Sequence, residues 1–199
     1  MMFRVVRAMI QGWMHLFYRL TITGLENIPQ EGAAIICANH TFYKDLFLIG
    51  SLTKRKIRWF AKSELFRNPF FGRVITNLGA FPIHRGEADR SAIKTVYEVL
   101  KSGELLGIFP DGTRVRDISN RPEVKRGFLS FALTARVPII PIAISFEKGP
   151  FGRGKAFSHI RIVVGESILL EYDKKYRNQE MTKISIDIMN KIYHEVEPK

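Results

Sequence analysis

Apolar residues along this chain fall into short compact runs, separated by stretches whose apolar positions recur every three or four residues. The runs at 33–38 (AAIICA), 57–61, 79–83, 105–109 (LLGIF), 139–145 and 160–164 have the length and composition of buried strands, and 20–23 is a shorter β-like segment. Between them, 46–52, 91–101 and 128–135 show helical spacing. Residues 63–66 and 69–77 are short helical pieces, and 181–196 is a closing amphipathic helix. Residues 151–157 read as a loop of Gly, Lys and Arg. Strands alternating with helices at this interval predict an α/β fold, a single domain whose mixed, largely parallel central sheet is flanked by helices.

Residues 1–20 follow a different pattern. On a helix, Arg4, Arg7, Gln11, His15 and Arg19 form one narrow polar stripe, and the remainder is Met, Val, Ile, Trp, Leu, Phe and Tyr. Two readings stand: a helix packed on the chain's own core, or an amphipathic helix lying in a membrane interface with Trp13, Phe17 and Tyr18 at its edge. A membrane span fits poorly, because it needs about 20 mostly apolar residues and each central arginine costs about 2.5–3.5 kcal/mol. Polar interruptions and the lack of a small-x-small site also argue against a cleaved signal peptide. The expected organisation is an amphipathic helix at 1–22 followed by a domain at 23–199. The whole is peripheral, on the cytoplasmic face of the cell membrane.

Composition narrows the partners. The 199 residues carry 31 Lys and Arg against 19 Asp and Glu, a formal charge of +12. Such an excess calls for an anionic partner: nucleic acid, anionic lipid, or a phosphorylated or acidic substrate. Of the excess, +3 lies in residues 1–20 and +6 in residues 54–90. An apolar fraction of 46% is too high for disorder. The single cysteine, Cys37, rules out internal disulfides, and its place inside an apolar run reads as a structural thiol. No cluster with metal-ligand spacing is present, so no metal and no cofactor is expected. The basic stretches Lys54–Arg58, Lys148–Lys155 and Lys174-Lys175 fit either solvated turns or contacts to anionic lipid, coenzyme A phosphates or an acidic carrier protein.

In open α/β sheets, chemistry gathers where strands end. After AAIICA comes Asn39-His40-Thr41-Phe42-Tyr43-Lys44-Asp45, in which a strand-end histidine precedes an aspartate at the start of a helix. That carboxylate would hold one ring nitrogen and leave the other basic. No G-x-S-x-G elbow accompanies the pair, so the nucleophile would be a hydroxyl of the substrate. Two further strand ends, Phe81-Pro82-Ile83-His84-Arg85 and Phe109-Pro110-Asp111-Gly112-Thr113-Arg114, terminate in arginines suited to phosphate oxygens. Gly112 gives the second of these loops its conformational freedom, and Thr113 offers a neutral donor.

These segments together resemble the glycerolipid acyltransferase family, best known for 1-acylglycerol-3-phosphate acyltransferases. The family's histidine and aspartate, four residues apart, are similar to His40-TFYK-Asp45. Its second block resembles 79–85, its third the FPDGTR of 109–114, and its fourth Val137-Pro138-Ile139-Ile140-Pro141. Ala61-Lys62-Ser63-Glu64-Leu65 resembles a recurrent stretch between the first two. Phe42 stands where serine is usual and Asp111 where glutamate is usual.

The resemblance implies transfer of an acyl group from an acyl-CoA or acyl carrier protein thioester to the free hydroxyl of lysophosphatidic acid. His40 would be the base and Asp45 its orienting partner. Arg85, Arg114 and Lys62 would hold phosphate, and Asp111, Gly112 and Thr113 would belong to the same substrate-binding block. Glycerol 3-phosphate or another lysolipid is the alternative acceptor. A catalytically silent membrane module and a nucleic-acid binder are the rivals from other classes. The latter lacks any helix-turn-helix, RRM or zinc pattern, so no nucleic-acid partner is expected.

Overall fold

The computed structural model describes residues 2–83 and 90–196. Seven strands form one sheet: β1 (Arg19–Thr23), β2 (Ala34–Ala38), β3 (Ile57–Lys62), β4 (Ala80–Ile83), β5 (Leu105–Ile108), β6 (Ile139–Phe146) and β9 (His159–Val164). Their order is β1-β9-β6-β2-β5-β3-β4. Strands β6, β2, β5, β3 and β4 are mutually parallel, while β9 is antiparallel to β6 and carries β1 parallel to itself at the edge. The mixed, largely parallel sheet read from the sequence is therefore the one present. The strands β7 (Lys148–Gly149) and β8 (Gly152–Arg153) make a separate small hairpin, which the sequence reading took as plain loop.

Strand β2 shows why the middle of the sheet reads as an unbroken apolar run: all five of its residues are buried. Ile35 and Cys37 face one layer, built from helices α4 (Arg90–Lys101), α5 (Gly127–Ala135) and α6 (Asn178–Val196). Ala34, Ile36 and Ala38 face the other, under α1 (Met2–Phe17) and α2 (Asp45–Leu52). The helix α3 (Pro69–Asn77) is capped by the Asn68 side chain, which accepts from Phe71 N. Pro141 is an unusual residue for a central strand. Its carbonyl accepts from Gly165 N, and its missing N–H falls on that same side, where the chain bulges between Gly165 and the Ile139–Ile168 bridge.

The first 22 residues divide between two elements. Helix α1 ends at Phe17, and Arg19 already pairs with His159 in the sheet. At about 100° per residue, α1 carries three stripes. Met14 is buried and Ile10 packs beside it against the core. Arg7 and Gln11, from the polar stripe, both donate to the Ser51 carbonyl near the end of α2, at 3.1 and 2.9 Å. The stripe Met2, Val5, Met9, Trp13 and Leu16 is exposed. One stripe thus packs on the core, as the first of the two readings has it, and a separate apolar stripe faces outward. No helix among the described residues is long and apolar enough to cross a membrane.

Candidate active site

The carboxyl ends of the five parallel strands lie along one edge of the sheet, and the loops that carry the chemistry leave from there. Asn39, the first residue after β2, is buried and continues the ladder with its side chain. Its amide nitrogen donates to the Ile144 carbonyl at 2.9 Å, and Ile144 N donates to its oxygen at 2.8 Å. This two-point clamp to β6 fixes where His40 emerges.

The next residues wrap around one carboxylate. Asp45, fully buried in the first turn of α2, accepts at Oδ2 from Thr41 N (2.6 Å), Phe42 N (2.8 Å) and His40 Nδ1 (2.9 Å). The four-residue spacing is what lets the chain turn back and deliver two backbone amides and one ring nitrogen to a single oxygen. Burying a carboxylate requires such donors. With Nδ1–H committed to Asp45, Nε2 is the ring nitrogen left with its lone pair. The His40 side chain is 14% exposed, so that nitrogen remains reachable.

The ring is also held by stacking. Phe109 lies parallel to His40 at 4.2 Å between centroids and 14° between planes, and Trp59 lies on Phe109 at 4.8 Å and 16°. Val115 N donates to the His40 carbonyl at 2.6 Å, which ties the loop after β5 to the dyad. Phe42 packs edge-on against Phe146 and against Gly154. Lys44, the last residue before Asp45, donates to the Gly154 carbonyl and to Tyr18 Oη. The dyad loop is thereby fixed to the β7–β8 region and to the end of α1.

Two cavities share walls in this region. One, about 370 Å³, is lined by His40, Phe109, Pro110, Gly112 and Lys125 among others. The second, about 310 Å³, lies between α1, α2, β3 and α3, and is apolar except near Arg7 and Ser51. Leu46 and Trp59 line both. Of the Phe-rich stretch 66–71, Phe71 lines the apolar cavity, together with the neighbouring Leu65. Phe70 faces outward.

Gly112 takes φ +66° on the cavity wall, and Thr113 is exposed beside it. Arg114 lays its guanidinium over the Tyr43 ring at 3.7 Å. Lys62 is exposed at the carboxyl end of β3. Arg85 lies outside the described residues. Asp111 turns inward: it is buried, and its Oδ2 accepts from Tyr193 Oη of α6 at 2.6 Å. Burial pushes its carboxyl above the ordinary range, offset by the Tyr193 hydrogen bond and by the charges of Arg121 and His40. Tyr193 is raised as well, first by burial and then by Asp111. Cys37 is buried and strongly raised by desolvation, as suits an inert thiol.

Sequence reasoning did not single out Lys125, Trp59, Phe109 or Tyr193 for the site. Lys125 sits in a loop without periodicity, and Tyr193 occupies an ordinary core position of an amphipathic helix. Neither carried a local signal.

Fold and site together define an α/β scaffold with a carboxylate–imidazole pair at the carboxyl edge of a parallel sheet, in which one ring nitrogen is positioned to accept a proton. Residues 19–145 match the family model described as Acyltransferase, and the chain belongs to that family. It is 33% identical over 147 residues to the 1-acyl-sn-glycerol-3-phosphate acyltransferase of Bacillus subtilis, covering 72% of this chain and 70% of that protein. The Pseudomonas aeruginosa protein of the same name is 29% identical over 181 residues, 83% of this chain and 68% of that one. The chain spans 44% of the length of a chloroplastic relative from Arabidopsis thaliana. The crystal structure of the 1-acyl-sn-glycerophosphate acyltransferase PlsC from Thermotoga maritima superposes with a TM-score of 0.75 at 21% identity, covering 99% of this chain and 81% of that one.

Proposed function

We propose that the protein transfers a fatty acyl group from an acyl thioester, acyl-CoA or acyl carrier protein, to the free hydroxyl of 1-acylglycerol 3-phosphate. The product would be phosphatidic acid, made for phospholipid synthesis at the cytoplasmic membrane surface. The observation that carries this reading is the His40 ring, held through Nδ1 by Asp45 and by the Phe109 stack, with Nε2 unpartnered among the described residues; it lines a cavity that shares Leu46 and Trp59 with an apolar one. The curated relatives bearing that activity in their names support the choice of substrate.

In the proposed step, Nε2 takes the proton of the acceptor hydroxyl as its oxygen attacks the thioester carbonyl. The tetrahedral intermediate expels the thiolate, which takes the proton back from the imidazolium. Asp45 stabilises the imidazolium through Nδ1. The donor's tail gains about 0.8 kcal/mol for each CH₂ buried, and the apolar cavity beside Trp59 is the place for it. Arg114, with Arg85 and Lys62, would receive the acceptor's phosphate. Thr113, Gly112 and the Asp111-anchored loop would shape the approach. The outward apolar stripe of α1 supports docking on an anionic membrane surface.

A second reading, another lysolipid or glycerol 3-phosphate as acceptor, is favoured by Phe42 and Asp111, both of which sit in the dyad and phosphate loops. One experiment separates the two. Purified protein is given acyl-CoA and acyl carrier protein donors against a panel of acceptors, and transfer to lysophosphatidic acid should dominate. Transfer only to another acceptor would overturn the first reading. His40→Ala should lower kcat by about 10²–10⁴-fold, and near-normal turnover in that variant would remove His40 as base. Arg114→Ala should raise the acceptor KM more than the donor KM.

A further inference from the structure

Outside the cavities, the largest unexplained feature is a group of exposed rings beyond the end of α1. Phe151, in the turn between β7 and β8, is 62% exposed, and Phe157, just after the hairpin, is 53% exposed. Their centroids lie 6.1 Å apart. Phe157 is 6.4 Å from Phe17, which is 6.4 Å from Trp13 on the outward stripe of α1. The rings therefore form one continuous string running from the helix onto the hairpin.

Phe157 also adopts φ +60°, a left-handed conformation that only it and Arg136 show among the described non-glycine residues. Holding a bulky residue there is strained, and the ring is exposed to solvent all the same. The segment is tightly tethered. Phe157 N donates to the Phe17 carbonyl at 2.6 Å, Arg19 N to the Ser158 carbonyl at 3.2 Å, and Lys44 to the Gly154 carbonyl. Arg153 is used internally, donating to the carbonyls of Phe146 and Arg116. Around the two rings, Arg19, Lys148 and Lys155 are exposed. Glu147, the nearby acid, pairs with His159 at 3.2 Å. Exposed aromatics with exposed lysines and an arginine on the same segment and its neighbour match the interface of an anionic bilayer, where rings sit at headgroup depth and cations meet lipid phosphates.

We propose that the β7–β8 hairpin and the turn that follows it are a second membrane contact, which seats Phe151 and Phe157 in the interface of an anionic bilayer alongside α1. The proposal rests on the reading of α1 as an interfacial helix. It adds a consequence for the active site: Phe42 and Lys44 of the dyad loop pack on the same segment, at Gly154. The contact that anchors the hairpin therefore sets the dyad's orientation to the lipid surface.

The test uses the full-length chain and needs no acyl transfer. Flotation is measured with vesicles of phosphatidylcholine alone and of phosphatidylcholine with phosphatidylglycerol. The wild type should float with the anionic vesicles. Phe151→Ser and Phe157→Gly should each weaken partitioning by about ten-fold. Phe157→Gly should leave thermal stability unchanged or higher, since glycine accepts positive φ without strain; a purely structural ring would instead lower it. Lys148→Glu with Lys155→Glu should reduce binding to anionic vesicles only.

Met9→Asp, on the outward stripe of α1, separates the two readings. If it weakens flotation while the hairpin variants do not, the hairpin proposal alone fails. If neither does, the α1 reading fails with it. For position-specific readout, Phe151→Cys is labelled with an environment-sensitive fluorophore, because the sole native cysteine is buried. Its emission should shift to the blue on adding anionic vesicles, while the same label at Lys183→Cys on α6 should not move. A label at 151 that responds to acyl carrier protein and stays water-like with vesicles would overturn the proposal in favour of a protein contact.

Discussion

Replacing Asp45 by asparagine tests the central piece of the site, because the geometry separates its effect on rate from its effect on folding. One oxygen of Asp45 accepts three hydrogen bonds, two from backbone amides and one from His40. Asparagine can place its carbonyl oxygen where Oδ2 stands and accept from the same three donors, but it brings no charge to stabilise the imidazolium that forms when His40 takes the proton. Hydrogen bonds to charged groups are worth about 1.5–3 kcal/mol, so Asp45→Asn should lower kcat by about 10–10²-fold.

Its stability should change little by comparison, since all three hydrogen bonds are retained in neutral form. Asp45→Ala would leave both buried amides unpaired, at about 1–3 kcal/mol each. The alanine variant should therefore be less stable by about 2–6 kcal/mol, with about 2–4 °C of Tm lost per kcal/mol in a chain of this size. The assay is thiol release from acyl-CoA in the presence of lysophosphatidic acid, run beside thermal melts. A folded asparagine variant turning over as fast as wild type would refute the argument that the Asp45 charge supports the base.

Two other outcomes follow from the packing. Gly107→Ala places a Cβ 2.5 Å from the Trp59 ring, which must push the stack through Phe109 onto His40. It should lower kcat by about ten-fold and stability by about 1–3 kcal/mol, and unchanged kinetics would show that the stack does not position the base. Asp111 is raised by burial, so the native state holds its proton more tightly than the unfolded chain does. Stability from this group is therefore present at low pH and lost as pH rises through the raised value. Asp111→Asn should be most favourable relative to wild type at neutral pH, with the difference shrinking toward the ordinary carboxyl value near 3.8. A Tm difference that does not vary with pH would refute this.

The parallel sheet was legible because its strands are buried on both faces and read as solid apolar runs, as β2 does. The dyad was legible because its chemistry is local: His40, Asp45 and the amides between them lie within one turn. What could not be read is long-range. A helical wheel shows that α1 has a polar stripe, but not that Arg7 and Gln11 turn inward to the Ser51 carbonyl. Nothing near Asp111 announces Tyr193, which reaches it from the far end of the chain. The β7–β8 hairpin has strands of two residues, too short for any period to show.

The edge strand β1 has a consequence for how the chain is made. It pairs with β9, residue for residue from Arg19↔His159 to Thr23↔Val163, so the first strand synthesised waits for nearly the last. Contacts spanning most of a chain form late and slow folding. Until residues 159–164 leave the ribosome, β1 has no partner, and the Phe17 carbonyl lacks the Phe157 amide that completes the aromatic string. The outward stripe of α1, by contrast, needs no partner from that late segment. If α1 docks on a bilayer as proposed above, it would do so well before the catalytic edge exists.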